Sequence, residues 1–124
     1  MNQEIQIREH FESADEFIRE SEHLISGGFF RGAIGRSYYA MFHAATAVLL
    51  LKGIERSSHH GILAAFGEFL VKPGLIESRF HAYIREAFLL RNECDYLSMS
   101  SASKSQAQEI LAQAKEFVQT CRQL

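Results

Sequence analysis

Proline is almost missing from this chain, with Pro73 the single instance in 124 residues, and no stretch alternates apolar and polar residues long enough to propose a β-strand. An all-α protein is expected. Long hydrophobic runs are missing too: the longest, residues 44–51, is interrupted by Thr46. It falls far short of the roughly 20 apolar residues that span a bilayer. The opening Met1-Asn2-Gln3-Glu4 shows no charged-then-apolar signal pattern, so the expectation is a cytoplasmic protein without membrane association. Cysteine is scarce. Cys94 and Cys121 are too few for a disulfide framework, and both fall at inward phases of expected helices, which suits reduced core thiols.

Charge of one sign is lacking as well. The formal net charge is -2 and no block of like charges occurs, which excludes a disordered tail or a polyanion-binding arm and disfavours a dedicated duplex-DNA binder. The cations are mostly arginine, however, whose planar fork grips phosphate or carboxylate in a way lysine cannot. Familiar catalytic signatures are absent: no His-Glu-x-x-His, no glycine loop ahead of a lysine, no Gly-x-Ser-x-Gly elbow. Only Glu20 and His23 have Glu-x-x-His spacing, whereas a di-metal bundle needs two such motifs plus two more carboxylates. No metal or other cofactor is expected.

What the chain does contain is helical periodicity over the length of one domain, residues 1–124, without repeat or linker. A first helix is expected over about 3–26, with Ile7, Phe11, Ala14, Phe17, Ile18, Leu24 and Ile25 inward, ended by Gly27-Gly28. A second runs from Phe30 to Gly53. A shorter one follows from Ser58 to Val71, stopped by Lys72-Pro73-Gly74. The fourth ends near Tyr96, a polar break covers 98–101, and Ser103 with Gln106 begins the last as a capping pair. The last helix carries the stripe Ala107, Ile110, Leu111, Ala114, Phe117, Val118 and Cys121. Short connections imply an antiparallel bundle of four main helices plus a shorter one.

Two helices carry polar groups where a bundle needs apolar ones. In the second, one face is an ordinary seam (Phe30, Ala33, Ile34, Ser37, Met41, Ala44, Ala45, Val48), but the opposite face is Gly32, Arg36, Tyr39, His43, Ala47 and Leu50. Neither is a solvent face, so the helix is either central in its bundle or covered on its far side by another molecule, and in a chain this small a homodimer or hetero-partner interface is the expected cover. The cation, phenol and imidazole of Arg36, Tyr39 and His43 on successive turns suit a phosphate or planar ring, and would also suit an interface. In the fourth helix the inward stripe Phe80, Ile84, Ala87 continues into Arg91 and Cys94/Asp95. A buried guanidinium or carboxylate must be paired, so Arg91 and Asp95 are expected to meet each other, a partner or a ligand. His59, at the start of the third helix, adds an imidazole beside backbone N–H groups able to hold an anion.

Taken together, Arg36-Ser37-Tyr38-Tyr39-Ala40-Met41-Phe42-His43-Ala44-Ala45, Lys52-Gly53, Ser58-His59-His60-Gly61, residues 69–74 and Arg91-Asn92-Glu93-Cys94-Asp95-Tyr96 resemble the HEPN family, higher eukaryotes and prokaryotes nucleotide-binding. The resemblance covers about residues 17–117. It implies an antiparallel helical bundle, a homodimer, and in prokaryotes a protein partner of the small nucleotidyltransferase type. Many members are metal-independent ribonucleases or toxins whose motif is an arginine and a histidine separated by four to six intervening residues. Here that window after Arg91 holds Tyr96, Leu97 and Ser98, so the nuclease acid/base is missing from its place. Asp95 is a poor substitute, because a neighbouring arginine holds a carboxylate ionised and weakly basic.

The leading expectation is therefore a non-catalytic dimeric binding protein. Its ligand-binding residues are Arg36, Tyr39, His43, His59, Arg91, Asp95 and Tyr96, and it takes a nucleotide, RNA or a nucleotidyltransferase partner. One alternative is a ribonuclease using Arg91 with a relocated His43 or His59; the other is a dimerisation module whose polar groups only fix register. Tyr96 is also a candidate for modification by a nucleotidyltransferase, as a tyrosine near this motif is in some relatives.

Overall fold

A computed structural model describes residues 2–96 and 102–124, the side chains of residues 95 and 96 excepted. The elements are α1 (Asn2–Ser26), α2 (Phe30–Leu51), α3 (His59–Phe66) leading into one π-helical turn (Gly67–Val71), α4 (Ser78–Tyr96) and α5 (Lys104–Arg122). There is no strand among the described residues, and the all-α expectation holds. No helix there is long and apolar enough to cross a membrane.

Helix ends follow from local chemistry. After α1, Gly28 takes φ +84°, its N–H bonds to the Ile25 carbonyl, and the Phe29 N–H reaches back to Leu24 at 2.8 Å. This is the paired 6→1 and 5→2 closure that a left-handed glycine permits. Gly53 ends α2 the same way, with Ile54 N–H bonded to the Leu49 carbonyl. At the other ends, the Ser58 and Ser103 hydroxyls accept from the Gly61 and Gln106 N–H groups at 2.9 and 3.0 Å, starting α3 and α5. In the π-turn, His81 Nε2 donates to the Leu63 carbonyl at 3.1 Å, and its ring lies where Gly67 has no side chain.

Helix α2 is the hub, touching α1, α3, α4 and α5. The seam Ala33, Ile34, Ser37, Met41, Ala44, Ala45 and Val48 is buried, as is the whole expected stripe of α5. Phe66 and Phe117 stack at 5.2 Å in the main core, with Leu70, Phe80, Ile84 and Ile110 around them. A smaller cluster of Ala33, Ile34, Cys94 and Ala107 closes one end of the bundle beneath Arg91. Cys94 and Cys121 are buried free thiols, and burial pushes that of Cys121 up to about 12. Arg122 clamps α5 onto α1 through both oxygens of Asp15, at 2.6 and 2.8 Å.

The second face of α2 packs against another helix of the same chain. Helix α1 folds back along its full length: Leu24 lies over Gly32, Glu20 bonds Arg36, Phe17 packs on Tyr39, His10 meets His43, and Gln3 donates to the Leu50 carbonyl. Ala47 and Leu50, on the same face, are buried. Of the two possibilities left by the sequence, a central helix or an external cover, the first was the less visible because several covering groups of α1, Gln3, His10 and Glu20, are polar, and polar positions of an amphipathic helix read as solvent-facing. Ser21 is the clearest case. Its fully buried hydroxyl donates to the Ala33 carbonyl at 2.9 Å and shares a 2.8 Å hydrogen bond with Ser37.

Candidate functional site

Arg91 leaves the inward stripe of α4 half-buried and turns towards α2, where its guanidinium donates to the Tyr39 hydroxyl at 2.8 Å. The same cation lies 5.2 Å from the centre of the Tyr39 ring and 6.0 Å from that of Tyr38. The phenol and the two rings fix the direction of the guanidinium on this side. Gly35 sits beneath, with the Arg91 stem 3.9 Å from where a Cβ would be. Arg31, Gly32, Gly35, Arg36, Tyr39 and Arg91 line an open cleft of about 210 Å³.

No carboxylate lines this cleft among the described residues, although Arg36 Nε is held by Glu20 Oε1 at 2.8 Å from the side. Three arginines thus converge on one surface of a chain whose net charge is negative. Planar cations around a glycine floor fit phosphate or carboxylate oxygens, two to a guanidinium.

On the other side of Tyr38 lies His59. The Tyr38 hydroxyl and His59 Nδ1 share a 2.6 Å hydrogen bond, and the imidazole stacks on Phe42 at 4.4 Å and faces Phe88 at 6.0 Å. Burial, reinforced by the nearby charges of Arg91 and His60, lowers the His59 pKa below its ordinary value. The ring is therefore neutral at pH 7 and has the protonation state a base requires. Burial likewise raises the fully buried Tyr38 phenol, against the opposing pull of Arg91.

His43 is elsewhere. Its Nδ1 lies 2.9 Å from that of His10, its ring stacks on Phe17 at 5.5 Å, and burial followed by the His10 charge lowers it to about 4. Among the described residues no group of three or more His, Cys, Asp or Glu is placed to hold a metal ion.

A family model for the HEPN domain matches residues 7–124. The chain belongs to the HEPN family. A toxin candidate of Methanocaldococcus jannaschii is 32% identical over 113 residues, 91% of this chain and 84% of the relative. A UPF0332 protein of Archaeoglobus fulgidus is 33% identical over 109 residues, 88% and 86% of the two chains. Another, from Thermotoga maritima, is 28% identical and spans all of this chain and 95% of its own.

Within this HEPN bundle the structure brings Arg36, Tyr39 and Arg91 into one cleft and sets His59 next to them through Tyr38. It removes His43 to the α1 contact. The expected meeting of Arg91 with Asp95, and the role of Tyr96, fall on side chains outside the described set. Arg31, Gly35 and Tyr38 were not singled out from sequence. Arg31, Gly35 and Tyr39 do recur every four residues, which was a usable signal; Tyr38 lies between the two faces of α2 and offered none.

Proposed function

We propose that this HEPN protein binds the phosphate of a nucleotide or RNA in the cleft of Arg31, Arg36, Tyr39 and Arg91, without chemically altering it. The observation that carries the reading is the Arg91–Tyr39 contact. It fixes the direction of a half-buried guanidinium in a cleft that Arg31 and Arg36 also line. The dimer and the nucleotidyltransferase-type partner implied by the family resemblance belong to the same proposal, with the cleft as the site they would share.

Calorimetric titration of pyrophosphate, ADP and a short single-stranded RNA tests it. Wild type should bind at least one of them, and Arg91→Ala should weaken that binding about tenfold or more while keeping its helical content, as loss of a charged hydrogen-bond donor predicts. Absence of binding to all three by a folded wild type would end the proposal.

A second reading is favoured by one observation: His59, neutral and part-buried, shares Tyr38 with Arg91. On this reading the histidine missing from the sequence window would be supplied by α3. In a ribonuclease of this kind His59 would take the ribose 2′-hydroxyl proton and Arg91 would stabilise the charge developing on phosphorus oxygens. Two of the relatives, both from Methanocaldococcus jannaschii, are named as toxin candidates, which suits such an activity. Metal-free incubation with RNA should then give 2′,3′-cyclic phosphate ends, lost in His59→Ala and retained in His43→Ala.

A further inference from the structure

We propose that Tyr38 is a positioning residue for His59: its buried hydroxyl donates to Nδ1, so the ring carries its own proton on Nε2 and is not available as a base. This goes beyond the binding reading above, supplying a reason why a ligand would be left chemically unaltered. It runs against the ribonuclease reading.

A phenol has one proton to place. Tyr38 is 0% exposed, and among the described residues the one hydrogen bond of its hydroxyl is to His59 Nδ1, at 2.6 Å. Burial raises the phenol pKa even against the pull of Arg91, so the proton stays on oxygen. Were Nδ1 protonated as well, two donors would face each other, or the Tyr38 proton would be left in the core without an acceptor. Native structures rarely accept that loss. The hydroxyl therefore donates and Nδ1 accepts.

The imidazole has a single proton of its own. Burial disfavours the imidazolium first, and the charges of Arg91 from α4 and His60 beside it on α3 act the same way. The other ionisable groups against the ring are the phenols of Tyr38 and Tyr39 from α2, and none of these neighbours is a carboxylate. A neutral imidazole that accepts at Nδ1 holds its proton on Nε2. Stacking on Phe42, 4.4 Å between ring centres, and on Phe88, 6.0 Å, keeps the ring in this orientation. Turning it over would carry Nδ1 away from Tyr38 and strand that hydroxyl.

Neutrality alone does not make a base. The lone pair must face the proton to be taken, and in His59 it faces Tyr38. The nitrogen on the far edge of the ring, without a partner among the described residues, is an N–H donor. Protonating Nδ1 requires the Tyr38 proton to be displaced first, so the ring keeps this state as pH falls.

The test is long-range 1H–15N correlation of the six imidazoles in the 15N-labelled chain, with the His59 signals identified by their loss in His59→Gln. At pH 7 His59 should show a pyridine-type Nδ1 and a pyrrole-type Nε2. Tyr38→Phe then reads the direction of the bond. If the phenol donates, removing it takes support from the neutral ring, and the protonation constant of His59 should rise about three- to tenfold, the usual effect of one hydrogen bond. If the phenol accepts, the constant should fall. A pyrrole-type Nδ1 in wild type overturns the proposal, as does a constant that falls or stays unmoved in folded Tyr38→Phe. The wild-type spectrum decides the tautomer even where that variant does not fold. Metal-free incubation with RNA adds a functional arm: cyclic-phosphate ends that vanish in His59→Gln would make the ring a base and overturn the proposal, whereas intact RNA, or cleavage that survives His59→Gln, agrees with it. None of these readings uses a phosphate ligand in the cleft, so the phosphate titrations succeed or fail independently.

Discussion

The Arg91 guanidinium and the Tyr39 hydroxyl, 52 positions apart in sequence, meet at 2.8 Å and join α4 to α2 at the mouth of the cleft. The contact helps to set where the cation points.

Tyr39→Phe isolates that positioning effect, since it keeps the ring under the guanidinium and removes only the acceptor. Affinity for a phosphate ligand should fall about three- to tenfold, while thermal stability changes by about 1 kcal/mol or less, the usual net worth of one part-exposed hydrogen bond. Titration calorimetry paired with a thermal melt reads both. Undiminished binding would mean that something other than Tyr39 orients Arg91.

Acid should weaken the fold through the α1–α2 contact. Burial and its neighbour lower His43 to about 4, and burial lowers His10, so the unfolded chain binds more protons than the folded one as pH drops below about 6.5. The stabilising effect is therefore complete above that value and is lost as pH falls towards about 4. Allowing for solvent screening around part-exposed rings, the loss is about 1–2 kcal/mol. Urea midpoints measured from pH 7 to 4 should show it, and His43→Gln should flatten the profile; an unchanged slope would place the acid sensitivity in other groups.

Buried Ser21 and Ser37 should prove strongly coupled. Ser21→Ala removes the partner of the buried Ser37 hydroxyl and the second donor to the Ala33 carbonyl, and should cost about 1–2 kcal/mol. Removing both hydroxyls should cost less than the sum of the single changes, because the double variant leaves fewer polar atoms without a partner. A chemical-denaturation cycle over the four proteins checks this, and strict additivity would show that the two hydroxyls act independently.

Periodicity revealed the helices whose two sides differ sharply in polarity. Every residue expected inward on α5 is buried, the left-handed stop after α1 falls at Gly28 within the expected Gly27-Gly28 pair, and α2 ends at Gly53 as expected. It failed where burial wraps the whole helix. On α2, Tyr38 and Ala40 are buried beside both faces, so no stripe could separate core from contact surface. The candidate site was legible as chemistry but not as geometry: Arg36, Tyr39, His59 and Arg91 were identifiable as unusual residues. That His43 turns to His10, and that Arg91 finds Tyr39, depends on helix docking that spacing within one helix cannot encode.

The polar rungs between α1 and α2 also index one helix against the other. An apolar seam tolerates sliding, since one aliphatic side chain replaces another at similar energy. Displacing α1 by one turn, about 5.4 Å, would instead put Gln6 or Ala14 opposite His43 and Gly32 or Ala40 opposite Glu20. The slip that brings Ala14 to His43 also sets Leu24 against Arg36 and breaks both polar pairs, while the opposite slip, which substitutes Gln6 and Glu16, takes Leu24 off Gly32 and Phe17 off Tyr39, so the observed register is the one that satisfies polar and apolar rungs together. The arginines of the cleft, whose lateral anchor is Glu20 of that helix, inherit their alignment from it.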